Sequence, residues 1–154
     1  MKTRFYAVYL SVITLLLVSS CTSLRAPVFD QYSYQKATEL KVDATRLMDK
    51  ATMQYDSQAE AIEHFEGELE KMLEYQKNRP NNQISYAMWK MMANPDKKFI
   101  AGFLKRWKEE GKLSSFFITE AKGQIVEALD LILQYEGKKD PAAEKRLQGL
   151  LGLQ

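Results

Sequence analysis

The residues of this chain that could do chemistry are few. There is one thiol, Cys21, and one imidazole, His64; carboxylates pair up at Glu60 with Glu63 and at Glu109 with Glu110. A lone cysteine has no partner for an internal disulfide, and what it offers is a sulfur nucleophile in its thiolate form. On a helix, His64 would have Glu60 and Glu68 four residues to either side, a geometrically possible three-ligand metal set. One imidazole among glutamates on an acidic face is more simply a solvated histidine, so no metal and no cofactor is expected. Paired carboxylates can cleave a glycosidic bond when they flank it, yet glutamates on helices ordinarily keep a face soluble. The chain has no Glu-x-x-His pair, no Gly-x-Ser-x-Gly turn and no glycine-rich phosphate loop. The expectation is a protein that is not an enzyme, with no small-molecule substrate.

The surroundings of Cys21 say more than its reactivity. Lys2 and Arg4 precede a run from Phe5 to Val18 that is apolar apart from Ser11 and Thr14, the pattern of an export signal. As a helix this run would span about 21 Å, short of the roughly 30 Å of a hydrocarbon core. The run ends in Val18-Ser19-Ser20-Cys21, which resembles the lipobox of bacterial lipoproteins. The resemblance covers residues 1–21. It implies cleavage before Cys21 by signal peptidase II, a diacylglycerol thioether on the sulfur, and acylation of the new amine with a palmitate-type chain. One acyl chain holds a protein only marginally, whereas two or three hold it stably. Thr22, where inner-membrane lipoproteins often carry Asp, implies an outer-membrane protein facing the periplasm.

Lys2 and Arg4 also account for the formal charge of +2. Beyond residue 20 basic and acidic residues balance, so charge gives no reason to expect a nucleic-acid partner. Length is that of a single domain. Few Gly and Pro, with many Ala, Leu, Glu, Lys and Met, favour helix. With no cysteine left for a disulfide, a small exported domain must be stabilised by its core.

These features divide the chain into a signal peptide (1–20), a lipidated cysteine and tether (21–30), a helical bundle (31–137) and a short C-terminal helix or tail (138–154). Apolar residues recur every three or four positions from Ala37 through Leu40, Ala44, Leu47, Met48, Ala51 and Tyr55 to Ile62, Phe65, Leu69 and Met72. One helix over that length would measure about 70 Å. Two helices near 31–54 and 58–78, folded as an antiparallel hairpin, are expected instead, with Ser57 and Glu60 as a capping box. A short helix near 83–93 follows the Asn78–Asn82 turn. Asn94 as N-cap and Pro95 at the first helical position predict a helix over 95–110, stopped by Gly111. Ser114 or Ser115 opens the next helix, Gly137 ends it, and Asp140-Pro141 restarts. The fold class is all-α, a small bundle of four main antiparallel helices plus short ones.

Two surfaces could meet a partner. Lys98, Lys105, Lys108 and Lys112 fall on one helical stripe, suited to lipid phosphates or an acidic protein; such a stripe can equally lie beside the acidic run Asp56–Glu74 or in water. Met88, Trp89 and Met92 form a soft apolar cluster that would adapt to a partner if exposed, although methionines on a short helix more often fill a core. The segment Asn94–Lys122 resembles part of small helical lipoproteins of unassigned function and transfers no functional residue. The sequence thus predicts a membrane-anchored, non-enzymatic envelope lipoprotein whose periplasmic domain binds a protein partner. An immunity or phage-exclusion lipoprotein is the alternative. A peptidoglycan-acting enzyme is a distant third, because the Glu-Ser dipeptide of lytic transglycosylases occurs nowhere.

Overall fold

The structure, a computed structural model, describes residues 29–151. The expected signal peptide, lipobox and lipidated Cys21 lie outside the described residues. Within them the chain is all-α, with six helices and no strand. Helices α1 (Gln31–Asp49) and α2 (Ala59–Asn78) form the expected hairpin, joined through a short 3₁₀ turn at Tyr55–Gln58. Then come α3 (Gln83–Met92), α4 (Ile100–Glu110), α5 (Ser115–Lys138) and α6 (Pro141–Leu151). Helix α5 runs antiparallel to α1: Lys122 pairs with Asp49 at one end, Lys41 with Asp130 midway, and Tyr34 lies against Gly137 at the other.

Helix α1 stops at Asp49, five residues before the periodicity alone would end it. The reason is tertiary. The carbonyl of Ala51 accepts the Leu113 N–H at 2.8 Å, and that of Met53 accepts the Trp107 indole N–H at 3.0 Å. The Tyr55 N–H donates to Gly111 at 2.7 Å. Backbone groups that would continue the helix are thus bound to the α4–α5 connection. Ser57 does not cap α2; its hydroxyl donates to the Gln54 carbonyl at 2.6 Å.

Helix α4 also begins later than predicted, at Ile100 rather than Pro95. Asn94 does cap, but it caps a turn: its side-chain oxygen accepts the Asp96 N–H at 2.9 Å and its carbonyl accepts the Lys97 N–H at 3.1 Å. The turn folds back so closely that a Cβ on Gly102 would sit 1.8 Å from the Lys97 carbonyl oxygen. Gly111 ends α4 with a φ of 75°, as expected of a helix stop. Ser114 caps α5 by accepting the Phe117 N–H at 3.3 Å. Gly137 does not terminate that helix. Lys139 does, with a left-handed φ of 50°. Helix α6 is not a loose tail, because Ala143 and Leu147 are fully buried. The bundle therefore extends past residue 137.

The ten-residue α3 packs one face on α2, α5 and α6 and leaves Gln83 and Lys90 in solvent. A helix this short is marginal alone, and its stability comes from burying Met88, Trp89 and Met92. Met48, Met72, Trp107 and Ile132 belong to the same core, all at or near zero exposure. Burying such side chains contributes about 1.5–3 kcal/mol each.

Polar groups join the helix ends on the side where α1 begins. Asp30 caps α1 through the Ser33 N–H at 2.6 Å, accepts the Tyr75 hydroxyl at 2.9 Å, and pairs with Arg79 at 3.6 Å. Gln76 donates to Ser33 at 2.8 Å, and Asn82 donates to Gln76. Next to this network Glu136, fully buried, accepts the Ser85 hydroxyl and the Lys139 ammonium, the latter at 2.6 Å. The Lys139 side chain is only 6% exposed, and its ammonium lies 4.7 Å from the Tyr135 ring centre. Its left-handed backbone is offset by this anchorage.

Glu136→Ala should therefore cost about 3–5 kcal/mol in urea unfolding, because Lys139 would stay buried and unpaired. The double change Glu136→Leu with Lys139→Met should recover most of that loss. Asp30 predicts the acid limb of stability. Burial alone would raise its carboxyl; the Ser33 amide, the Tyr75 and Ser33 hydroxyls and Arg79 outweigh this and hold it below the usual 3.8. A carboxyl depressed in the folded state stabilises fully above its ordinary value, and that stability is lost as pH falls through the lowered one. Asp30→Asn should make thermal stability fall less steeply below about pH 4 without abolishing the fall, since Glu39, Glu68 and Glu74 are depressed too.

Candidate partner-binding groove

The turn before α4 and the first halves of α4 and α5 enclose a groove of about 360 Å³. Its floor is apolar and aromatic. Phe99 enters from the turn, Phe103 from α4, Phe117 and Ile125 from α5. The Phe103 and Phe117 rings stack with centroids 6.0 Å apart at an angle of 9°. Arg106 lies 4.0 Å from the Phe117 ring centre while its guanidinium bonds Glu110 at 2.7 Å, so a cation covers one aromatic face. Pro95, Lys97 and Lys98 form the rim on one side, with Glu120 and Gln124 opposite. Lys97 and Lys98 are exposed, and neither makes an ion pair among the described residues. Beyond the groove Phe116 stands 80% exposed at the start of α5.

This arrangement revises the sequence-predicted partner surface. Met88, Trp89 and Met92 are buried, because α2, α5 and α6 enclose α3; they present nothing to a partner. The Trp89 indole N–H finds no acceptor among the described residues, a cost that the packing around it must offset. Neither Lys98 nor Lys112 is on the helical stripe, since α4 runs only from Ile100 to Glu110; Lys98 stands at the groove rim instead. Lys105, Lys108 and Lys112 remain exposed. Lys105 is held by Asp96 at 3.0 Å, and that bond raises its ammonium above the usual value. The ion pairs of α4 run to its own turn and helix and not to α2. The acidic exposed face of α2 and the basic face of α4 thus stand as separate surfaces.

The candidate catalytic and metal residues are not gathered. Glu68 is engaged by Lys36 and by Lys71 at 2.6 Å, hydrogen bonds that hold its carboxyl at about 2. His64 and Glu60 are exposed on a shallow concavity shared with Asp43, Arg46 and Lys50. Glu110 is bound by Arg106, and Glu109 is exposed beside it. Among the described residues no group of three or more His, Cys, Asp or Glu is placed to hold a metal, and no helix is long and apolar enough to cross a membrane.

Phe99, Phe103 and Phe117 fall on apolar positions of the helical period, so the sequence alone reads them as core and not as the wall of a groove.

Gly102→Ala tests the groove's architecture. The added methyl would meet backbone rather than a flexible side chain, so the Asn94–Phe99 turn must move. The expected outcome is a loss of about 1–3 kcal/mol, with amide chemical shifts displaced in that turn and at Phe117. Comparison with known proteins returned no family model, curated protein or solved structure that matches the chain.

Proposed function

We propose that this protein is an envelope lipoprotein without enzymatic activity. It is acylated at Cys21, held at the periplasmic face of the outer membrane, and its helical domain binds a protein partner. The observation that carries the reading is the Val18-Ser19-Ser20-Cys21 end of an apolar run in a chain with no other cysteine. A thiol that has no pairing partner and follows two small residues is suited to alkylation, and the attached chains supply the membrane affinity that no described helix does. The groove between the Asn94–Phe99 turn, α4 and α5 is the surface assigned to the partner. Phe99, Phe103 and Phe117 would take an apolar side chain, and Lys97 and Lys98 would meet acidic residues beside it. Charge placed at such a rim acts mainly on association rate and salt dependence.

Two measurements test this. Globomycin should leave the precursor unprocessed, and Cys21→Ser should abolish acyl incorporation; an unchanged mature size under globomycin would refute the anchor. A photo-crosslinking residue in place of Phe116 should trap one envelope protein in stoichiometric yield. Lys97→Glu with Lys98→Glu should weaken that product at least tenfold while leaving the melting temperature within a few degrees. A crosslinked product unaffected by the double reversal would remove the groove from the assignment.

A further inference from the structure

The end of the bundle where the chain enters carries its own surface. Phe29, Tyr32 and Tyr34 are 53%, 46% and 43% exposed, and they are half of the exposed large apolar residues among those described. They are not loose. Tyr32 packs on Tyr75 with ring centres 4.4 Å apart, and Phe29 lies 6.3 Å from Tyr34. Tyr34 lies across the end of α5, where a Cβ on Gly137 would come within 3.2 Å of its ring. Of the carboxylates at this end, Asp30 is occupied by Ser33, Tyr75 and Arg79, and exposed Glu74 pairs with Lys77 at 3.4 Å. Lys77, next to Gln76 in α2, and Lys138, at the end of α5, are exposed on the same end.

We infer that this end, Phe29, Tyr32 and Tyr34 with Lys77 and Lys138, rests on the lipid headgroups and stands the bundle upright on the bilayer. The inference rests on the acylation of Cys21. From Cys21 to Phe29 is eight residues, which reach at most about 27 Å, so the covalent anchor delivers this end to the bilayer before any other. Aromatic rings with polar tips partition to the headgroup region, and lysines there meet lipid phosphates. An upright α1 of 19 residues stands about 28 Å tall. Because α5 runs antiparallel to α1, Phe117 and the groove then lie in the half of the bundle turned away from the membrane. The anchor and the partner surface would be at opposite ends.

The absence of any cysteine other than Cys21 makes the test clean. In the matured full chain, an introduced cysteine is the single free thiol. Gln31→Cys and Lys112→Cys would each be labelled with a fluorophore and reconstituted in phosphatidylethanolamine–phosphatidylglycerol vesicles containing nitroxide-bearing lipid. The expected result is quenching at position 31 at least threefold stronger than at position 112. Replacing Phe29 and Tyr32 by Ser, with circular dichroism unchanged, should bring the two positions together. Equal quenching at both positions in the acylated protein, or no response to the Ser changes, overturns the upright placement and leaves the anchor intact. Protection of position 31 that rises with protein density rather than with lipid would assign the patch to a second copy and also overturns it. Unacylated Cys21 would appear as a second labelled thiol in the mass spectrum, and that result overturns the anchor itself.

Discussion

The architecture depends on a buried ion pair at a junction of helix ends. Glu136 and Lys139 are removed from water together, on the last turn of α5, with the Ser85 hydroxyl from α3 completing the carboxylate's partners. Taking two charges out of water costs several kcal/mol each, and their attraction offsets it only when the remaining donors and acceptors are matched. Here matching requires α3 to arrive in one register against α5. Neighbouring Asn82, Gln76, Ser33, Arg79 and Asp30 then extend the requirement to α2 and α1. Apolar stripes alone would let these helices slide by a turn with little change in buried area. The polar junction does not permit that, because a slipped helix would leave a charge or amide unpaired.

The other end of the bundle is held differently. There the carbonyls of Ala51 and Met53 and the N–H of Tyr55 are satisfied by the α4–α5 connection, through Leu113, Trp107 and Gly111. Trp107 is fully buried, and Tyr55 meets its ring edge-on at 5.6 Å. Backbone hydrogen bonding and one large aromatic anchor α4 there. Its other face is free to carry Lys105, Arg106 and Lys108 to solvent and to form one wall of the groove. A helix tied down through its ends and one buried stripe can present a charged surface without needing ion pairs to stay in place; the exposed pairs on this molecule are worth roughly 0–1 kcal/mol each.

The two candidate interaction surfaces follow from this division. The polar junction places aromatic side chains outside it, next to the point where the chain enters. The backbone-tied end leaves a basic, aromatic-floored groove. Neither surface holds catalytic geometry: the carboxylates singled out by type are either paired with cations, as Glu68 and Glu110 are, or dispersed on solvated faces.

The amino-acid sequence by itself determined the all-α class, the Gly111 stop and a serine cap at Ser114 or Ser115, because each depends on interactions within about four residues; it left open whether residues 31–78 form one kinked helix or the α1–α2 hairpin. It also carries the whole basis for the proposed anchor, which is a local motif. Tertiary structure alone decided where α1 ends, since Ala51, Met53 and Tyr55 are bound by residues more than fifty positions away. It delayed α4 to Ile100, because the Asn94 turn packs against Gly102. It also sent Met88, Trp89 and Met92 inward while leaving Phe116 and Tyr32 in solvent. Periodicity states that a helix has an apolar face; which neighbours cover that face is a property of the assembled bundle, and no window of sequence contains it.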